Sequence, residues 1–258
     1  MPPRALRPSG LLLVDKEAGV SSFAVVARIR RRTGARTGHA GTLDPFATGL
    51  LLVLSGSATK VAPWLVGLGK RYVSDIDLSV RTTTGDPEGT ILQRHEAPDT
   101  AELERRLAGL RGEVELPIPA ASAVKIGGER AYRLHRRGVT VDMPLRRSQV
   151  HALDVIAYSE GVATLDMRVG SGTYVRAIAD ALGGHCTTLR RIEVGPFSVD
   201  DADEARILPA VEALPFLPLV EVGADEVRAL RAGRRRWTNA VRVVHEGELV
   251  AVDGTVLP

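Results

Sequence analysis

Short apolar runs and an alternating segment predict several β-strands. Leu11–Val14 and Leu50–Leu54 are uninterrupted apolar runs, which is typical of buried strands. From Tyr72 to Val80, apolar side chains (Tyr72, Ile76, Leu78, Val80) are spaced by even numbers of residues, as expected for a strand with one buried face. Further strands are predicted near residues 148–156, 162–170 and 192–199.

Apolar residues at helical spacing predict helices between these strands. Ser21 or Ser22 can cap a helix that runs to about residue 32 and buries one face, formed by Phe23, Val26 and Ile29. Thr100 can cap a second helix that carries Leu103, Leu107 and Leu110 on one face. Other helices are predicted at residues 58–65, 129–138, from about 173, and 201–214.

The order of these elements predicts the fold class. Strands and helices are mixed without a regular βαβ alternation, which favours an α+β fold with a mixed, mainly antiparallel sheet flanked by helices. Pro215 and Pro218 indicate a boundary, so we expect a domain over residues 1–215 and a small segment over 216–258. That last segment reads as short strands with a basic stretch.

Length and composition exclude several classes of protein. A chain of 258 residues fits one large domain, or one large and one small domain. No apolar run approaches the roughly 18 residues of a membrane span, and the first residues lack a signal-peptide pattern, so we expect a cytoplasmic protein. The single cysteine, Cys186, cannot form an internal disulfide, and no Cys/His cluster has zinc spacing.

Positive charge is grouped along the chain although the net charge is only +3. Arginines cluster before residue 37 and again at 133–137, 146–147, 190–191 and 234–236. Separate basic groups on a nearly neutral chain suggest a phosphate-binding face, and solvated helix faces are the alternative. Only four of the 34 cations are lysines, namely Lys16, Lys60, Lys70 and Lys125.

The Gly-, Thr- and Pro-rich loop at residues 33–49 is the candidate for chemistry. It carries His39, Thr42 and Asp44-Pro45, and it lies between a basic helix and a buried strand, where rigid elements can hold a functional loop. An ordinary turn that begins at Asp-Pro is the alternative. The chain contains neither a P-loop nor a dinucleotide-binding glycine motif, and His245-Glu246 lacks the second histidine of a zinc hydrolase.

The segment GHAGTLDPFATGLL, residues 38–51, resembles the catalytic motif of TruB-type pseudouridine synthases, G-H-x-G-x-L-D-P-x-A-x-G-x-L. Every fixed position of that motif is filled. The resemblance extends over most of residues 10–200, through LLLVDKEAGVSS, SGSATK, KRYVSDIDL, RTTTGDPEG, PAASAVKIGGERAYRLHRRG, SGTYVRAIADALG and TTLRRIEVGPF.

This resemblance implies the pseudouridine synthase fold and a tRNA pseudouridine(55) synthase. Such an enzyme isomerises the uridine at position 55 in the T-loop of tRNA, without a cofactor or a metal. The expected partner is the T-arm of tRNA, with no membrane, no obligate protein partner, and a monomeric state. A tRNA-binding folding chaperone in which catalysis is secondary is the alternative, and a nonspecific RNA binder is a third possibility.

The resemblance also assigns catalytic roles. It makes Asp44 the nucleophile, Arg176 the cation that pairs with the aspartate, and Tyr72 the ring that stacks on the flipped-out base and assists proton removal. Whether the aspartate attacks C1′, attacks C6 or first removes a ribose proton stays open.

Further positions follow from the same comparison. His39 takes part in flipping the base, while Tyr174 and Leu189 close the apolar wall of the substrate pocket. Lys16, Lys60 and Lys125 support the site or contact phosphates. Residues 117–148 form an RNA-gripping insert, and residues 216–258 resemble a small or truncated PUA-like RNA-binding segment. Glu17 stands where the family has proline, and Ala121 where many relatives have tyrosine.

Overall fold

The computed structural model describes residues 9–139, 141–234, 241–252 and 255–256. In these ranges the α-helices are α1 (Ser22–Thr33), α2 (Ala62–Val66), α3 (Thr100–Ala108), α4 (Ala131–Arg136), α5 (Val175–Ala181) and α6 (Ala224–Arg231). Short 3₁₀ segments cover Gly56–Val61, Val199–Asp201 and Ala210–Ala213. None of these described helices is long and apolar enough to cross a membrane.

The strands are mostly short. Those in the first part of the chain are β1 (Gly10–Lys16), β2 (Thr37–His39), β3 (Thr48–Ser55), β4 (Lys70–Asp77), β5 (Val80–Thr82), β6 (Ile91–Arg94), β7 (Gly112–Pro117), β8 (Lys125–Ile126), β9 (Glu129–Arg130), β10 (Leu145–Ser159) and β11 (Val162–Val169). The later ones are β12 (His185–Cys186), β13 (Arg190–Val194), β14 (Phe197–Ser198), β15 (Asp203–Leu208), β16 (Leu219–Glu221), β17 (Arg242–His245), β18 (Glu248–Val252) and β19 (Thr255–Val256).

The chain divides into two compact units, and the first comprises residues 1–68 and 193–258. In this unit β3 lies between β1 and β2, antiparallel to both, and Ser55 is opposite both Gly10 and Thr37. The apolar runs predicted as buried strands in β1 and β3 are confirmed, because Leu50 to Leu54 are completely buried.

Helix α1 begins where the sequence predicts it, with the Ser21 side chain accepting a hydrogen bond from the Ala24 amide. Its buried face, however, consists of Ser22, Val25, Val26 and Ile29. The prediction that Phe23 is buried is wrong, since its side chain is 78% exposed. Ser22 occupies the buried position because its hydroxyl is hydrogen-bonded inside the unit, and Phe23 is rotated about 100° from it around the helix axis.

The prediction of a helix over residues 201–214 is also wrong. These residues form the strand β15 between two 3₁₀ turns. β15 pairs antiparallel with β1, with Leu208 opposite Leu11 and Asp203 opposite Leu13. β1 is buried and needs partners for its backbone amides and carbonyls, so this tertiary pairing overrides the local helical propensity.

The second unit, residues 69–192, contains an antiparallel sheet in the order β4-β11-β10-β7. The short strand β12 pairs with the other edge of β4, so β4 has partners on both sides. Burial alternates along β4 as predicted, with Lys70, Tyr72, Ser74 and Ile76 buried. The expected α+β class with a mainly antiparallel sheet is therefore confirmed.

The C-terminal residues form a small sheet of their own, in the order β16-β17-β18-β19. With α6, it encloses an apolar cluster that includes Val222, Val227, Leu230, Val243 and Ala251. The division at residue 215 and the likeness to a PUA segment stay predictions. Arg235 and Arg236 of the predicted basic stretch lie outside the described residues.

Candidate active site

The loop that carries Asp44 follows β2 and is tied to the first turn of α1. The Ser22 hydroxyl donates a hydrogen bond to the Leu43 carbonyl and accepts one from the Leu43 amide, both at 2.9 Å. Ser22 and Leu43 are both buried, so these two bonds satisfy backbone groups that water does not reach. The residue directly before Asp44 is therefore fixed in position.

Lys16 holds the other side of the same loop. Its side chain is only 1% exposed, and Nζ donates to the carbonyls of Glu17 at 2.9 Å, Val20 at 2.7 Å and Pro45 at 3.1 Å. The Gly19 amide donates to the same Pro45 carbonyl at 2.8 Å. A buried ammonium with three carbonyl acceptors fits the supporting role among the two roles predicted for Lys16.

The departure from the family pattern at Glu17 leaves this contact intact. Lys16 uses the backbone carbonyl of Glu17, and a proline at that position would offer the same acceptor. The Glu17 side chain is exposed.

Asp44 both opens a turn and presents a side chain. Its carbonyl accepts a hydrogen bond from the Ala47 amide at 3.2 Å, which is the turn expected of Asp-Pro. The Asp44 side chain is half-buried, as is that of His39 in β2. Lys60 lies in the 3₁₀ turn after β3 and is exposed. The turn and the functional interpretations of Asp44 are thus compatible.

In the second unit, Arg176 of α5 is a buried cation, with 3% of its surface exposed. Its Nη1 lies 3.2 Å from Oδ2 of Asp86, which is also buried. Nη1 donates to the Thr84 carbonyl at 2.8 Å, and Nη2 donates to the Ala121 carbonyl at 2.9 Å. An ion pair and two carbonyl acceptors therefore fix the guanidinium.

Asp86 is a candidate functional residue that lies in the matched segment RTTTGDPEG but has no role assigned from the sequence. Its Oδ1 accepts hydrogen bonds from the Thr84 hydroxyl at 2.5 Å and the Glu88 amide at 3.1 Å. Gly85 has φ of 69°, and a Cβ there would come within 3.1 Å of the Arg176 carbonyl. The available signal was the Gly-Asp-Pro turn inside a matched segment, but nothing in the sequence pairs it with Arg176.

The residues predicted to hold the base lie on β4, on the loop before β13, and at the start of α5. Tyr72 is buried on β4, opposite Met167 of β11. Leu189 is buried, and Thr188 before it is bonded to Asp75 of β4, with Oγ1 to Oδ2 at 3.0 Å. Tyr174 is half-buried and directly precedes α5.

A buried hydroxyl in this unit is available for a ligand. The Ser122 side chain is buried, and its Oγ has no hydrogen-bond partner among the residues that the structure describes. It follows Ala121, whose carbonyl accepts from Arg176. An unpaired buried hydroxyl costs roughly 1–3 kcal/mol, which a bound polar group can recover. No sequence pattern marks Ser122 as a site residue.

The predicted insert at 117–148 carries exposed positive charge. Lys125 is exposed on β8, which pairs with β9 in a two-stranded sheet. In α4, the guanidinium carbons of Arg133 and Arg136 lie 5.9 Å and 5.7 Å from the centre of the Tyr132 ring. The insert thus combines an aromatic side chain with cations, a composition suited to nucleic acid.

Lys70, which heads β4, is the fourth lysine of the chain and is buried. Burial, with a smaller contribution from the nearby Arg191 charge, lowers the pKa of Lys70 from 10.5 to about 8. Arg191 is also buried, so Lys70, Arg176 and Arg191 are three buried cations of this unit.

The predicted site residues fall into two groups. The first unit contains Lys16, His39, Asp44 and Lys60, and the second contains Tyr72, Lys125, Tyr174, Arg176 and Leu189. Within the described ranges, no three His, Cys, Asp or Glu side chains group into a metal site.

Solved structures with the same fold include two that contain Cbf5. The chain matches the crystal structure of a Cbf5–Nop10–Gar1 complex with a TM-score of 0.70 at 24% identity, over 94% of this chain and 77% of the other. It matches the archaeal box H/ACA sRNP Nop10–Cbf5 complex with a TM-score of 0.67 at 22% identity, over 95% and 78%. The chain therefore shares its fold with these two structures.

Sequence comparison identifies the family. The profile of the TruB family pseudouridylate synthase N-terminal domain matches residues 29–175. tRNA pseudouridine synthase B of Chromohalobacter salexigens is 40% identical over 248 residues, covering 88% of this chain and 81% of the relative. The protein of the same name from Nocardia farcinica is 40% identical over 279 residues, covering 99% and 90%. The chain belongs to the TruB family of pseudouridylate synthases.

Proposed function

We propose that the chain isomerises uridine 55 in the T-loop of tRNA to pseudouridine. The observation that carries this proposal is the fully matched segment at residues 38–51, whose Asp44 lies on a loop fixed by Lys16 and Ser22. The relatives that are about 40% identical bear the name tRNA pseudouridine synthase B, which supports tRNA as the substrate.

The reaction requires little beyond a positioned carboxylate and a closed pocket. The N1–C1′ bond of the uridine breaks, the uracil turns, and a C5–C1′ bond forms. C5 loses its proton and N1 gains one, so atoms and electrons balance without a cofactor. Asp44 acts as the nucleophile at the target nucleoside.

The other residues bind and orient the base. The T-loop uridine is stacked and must be flipped out, and we assign His39 to that step. Tyr72 stacks on the flipped base and assists proton removal, and Tyr174 and Leu189 close the apolar wall. Arg176 orients the reacting carboxylate, and we assign Asp86 the task of fixing its guanidinium.

Mapping of pseudouridine in a T-arm RNA incubated with the protein tests this proposal. We expect conversion only at the T-loop uridine that corresponds to position 55. An unmodified T-loop, or conversion spread over other uridines, would contradict the assignment. An unrelated hairpin at matched salt is the control, because a nonspecific RNA binder would not distinguish the two.

A tRNA-folding chaperone is the second candidate, and the basic insert around Tyr132 favours it because that surface does not involve Asp44. Refolding of a misfolded tRNA by the Asp44→Asn variant, at the wild-type rate and without modification, would support this activity.

We further propose that the protein acts as a cytoplasmic monomer without an obligate protein partner. Sedimentation at the mass of one 27.6 kDa chain would support the monomer.

A further inference from the structure

The solvent face of α1 carries an exposed aromatic ring beside the Asp44 loop. Phe23 is 78% exposed, although burying such a ring typically stabilises a fold by roughly 2 kcal/mol. The preceding residue, Ser22, is bonded to Leu43, and Asp44 follows Leu43. The ring is therefore attached to the turn of helix that fixes the proposed nucleophile.

The arginines of α1 divide into two pairs. Arg28 forms an ion pair with Glu204 at 2.5 Å, and Arg32 donates to the Glu204 carbonyl. The side chains of Arg30 and Arg31 are exposed and form no hydrogen bond or ion pair with any residue that the structure describes. The helix contains no acidic residue, so the charges of Arg30 and Arg31 are not balanced within it.

The exposed ring and the two unpaired arginines share one side of the helix. At 100° per residue, Arg30 lies about 20° and Arg31 about 80° from Phe23 around the axis. The seven residues from Phe23 to Arg30 rise by roughly 10 Å along the axis. We call Phe23, Arg30 and Arg31 the α1 strip.

We propose that the α1 strip is a docking surface for the RNA substrate, in which the Phe23 ring stacks on an unpaired base and Arg30 and Arg31 contact phosphates. The inference rests on the proposed function for the identity of the RNA. A ring with an open face fits a base, and the guanidiniums match phosphate geometry. Because no acidic residue interrupts the strip, its charge is complementary to a nucleic-acid backbone.

Titration of T-arm RNA with variants of Phe23 tests the stacking. We expect Phe23→Ala and Phe23→Leu to raise Kd and KM about tenfold, which corresponds to the loss of one stacked base, with a smaller change in kcat. Phe23→Tyr retains an aromatic face and should bind like the wild type. Leu92→Ala is the matched control, because Leu92 is a 61% exposed apolar side chain on β6. A wild-type Kd for Phe23→Ala or Phe23→Leu overturns the stacking.

The dependence of Kd on salt tests the two arginines. Each of Arg30→Ala and Arg31→Ala should flatten the slope of log Kd against log salt by roughly 0.7 to 0.9, the value for one lost phosphate contact. Arg28→Ala removes the same charge from a cation that Glu204 already neutralises, so its effect should be smaller. Equal slopes for Arg28→Ala and Arg30→Ala overturn the phosphate assignment.

Failure of this inference is distinguishable from failure of the proposed function. If the wild type forms no pseudouridine but its RNA binding depends on Phe23, the isomerase proposal fails and the α1 strip stands. If the wild type modifies the T-loop and Phe23→Ala binds equally well, the strip fails and the isomerase proposal stands.

Discussion

Replacing Asp86 with asparagine should release Arg176 and destabilise the second unit. The substitution preserves the shape of the side chain, and the remaining carbonyl can still accept hydrogen bonds from Thr84 and Glu88. It removes the negative charge 3.2 Å from Nη1 of Arg176 and places an amide donor in the same turn. The guanidinium then loses its ion pair with this turn and keeps its bonds to the Thr84 and Ala121 carbonyls.

The burial of the pair sets the size of the effect. The side chains of Arg176 and Asp86 are 2% and 7% exposed, so solvent screens their interaction little. Removing one member of a buried ion pair typically costs about 3–5 kcal/mol, because the other charge remains desolvated. We therefore expect Asp86→Asn to lower the free energy of unfolding by about 3 kcal/mol, and kcat by at least about tenfold because Arg176 loses its orientation.

Urea denaturation and single-turnover pseudouridine formation measure the two effects. Asp180→Asn is the matched control, since Asp180 pairs with Arg81 at 2.7 Å but both side chains are about one-third exposed. A pair of that kind contributes at most about 1 kcal/mol. If Asp86→Asn and Asp180→Asn cost the same, or if Asp86→Asn retains wild-type kcat, the reasoning is refuted.

Three further predictions concern other buried polar groups. Ser22→Ala leaves the Leu43 amide and carbonyl without their partner and should lower the unfolding free energy by about 1–3 kcal/mol in urea denaturation; an unchanged midpoint would contradict the anchoring role. Lys16→Met removes three hydrogen bonds, one of them to Pro45 of the Asp44 loop, and should lower kcat more than it raises KM, whereas an effect on KM alone would indicate phosphate contact. The pKa of Lys70 is about 8 in the folded protein, against 10.5 for an ordinary lysine, which we take for the unfolded chain. Between these pH values the unfolded chain binds more protons than the folded protein. The free energy of unfolding should therefore rise by roughly 3 kcal/mol from pH 8 to 10.5. Lys70→Met should abolish this rise. If urea denaturation of the variant shows the same difference between pH 7.5 and 10 as the wild type, Lys70 is not the cause of the pH dependence.

The sequence predicts elements well where burial has a simple period. The alternation along β4 corresponds to a strand with one buried face, and the apolar runs of β1 and β3 correspond to buried strands, as predicted. Phe23 was misassigned because a serine normally counts as a solvent-facing residue. Ser22 is buried through its bonds to Leu43, a contact that lies outside any local pattern.

The candidate site was predictable as a set of motifs but not as a set of contacts. The sequence predicts the same role for Lys16, Lys60 and Lys125, yet Lys16 is buried and the other two are exposed. Asp86 and Arg176 are far apart along the chain, and only the tertiary fold joins them. Likewise, β15 becomes a strand because β1 requires a pairing partner. The residues of β15 alone do not specify that pairing.

Release of tritium from T-arm RNA labelled at C5 of the target uridine tests the central claim most directly, because C5 loses its hydrogen only when the C5–C1′ bond forms. We expect the wild type to release the label in proportion to the pseudouridine formed. Asp44→Asn, which keeps the shape of the side chain but not its charge, should release none above the enzyme-free blank while still binding the RNA. Release by Asp44→Asn at a rate near that of the wild type would contradict the assignment of Asp44 as the nucleophile.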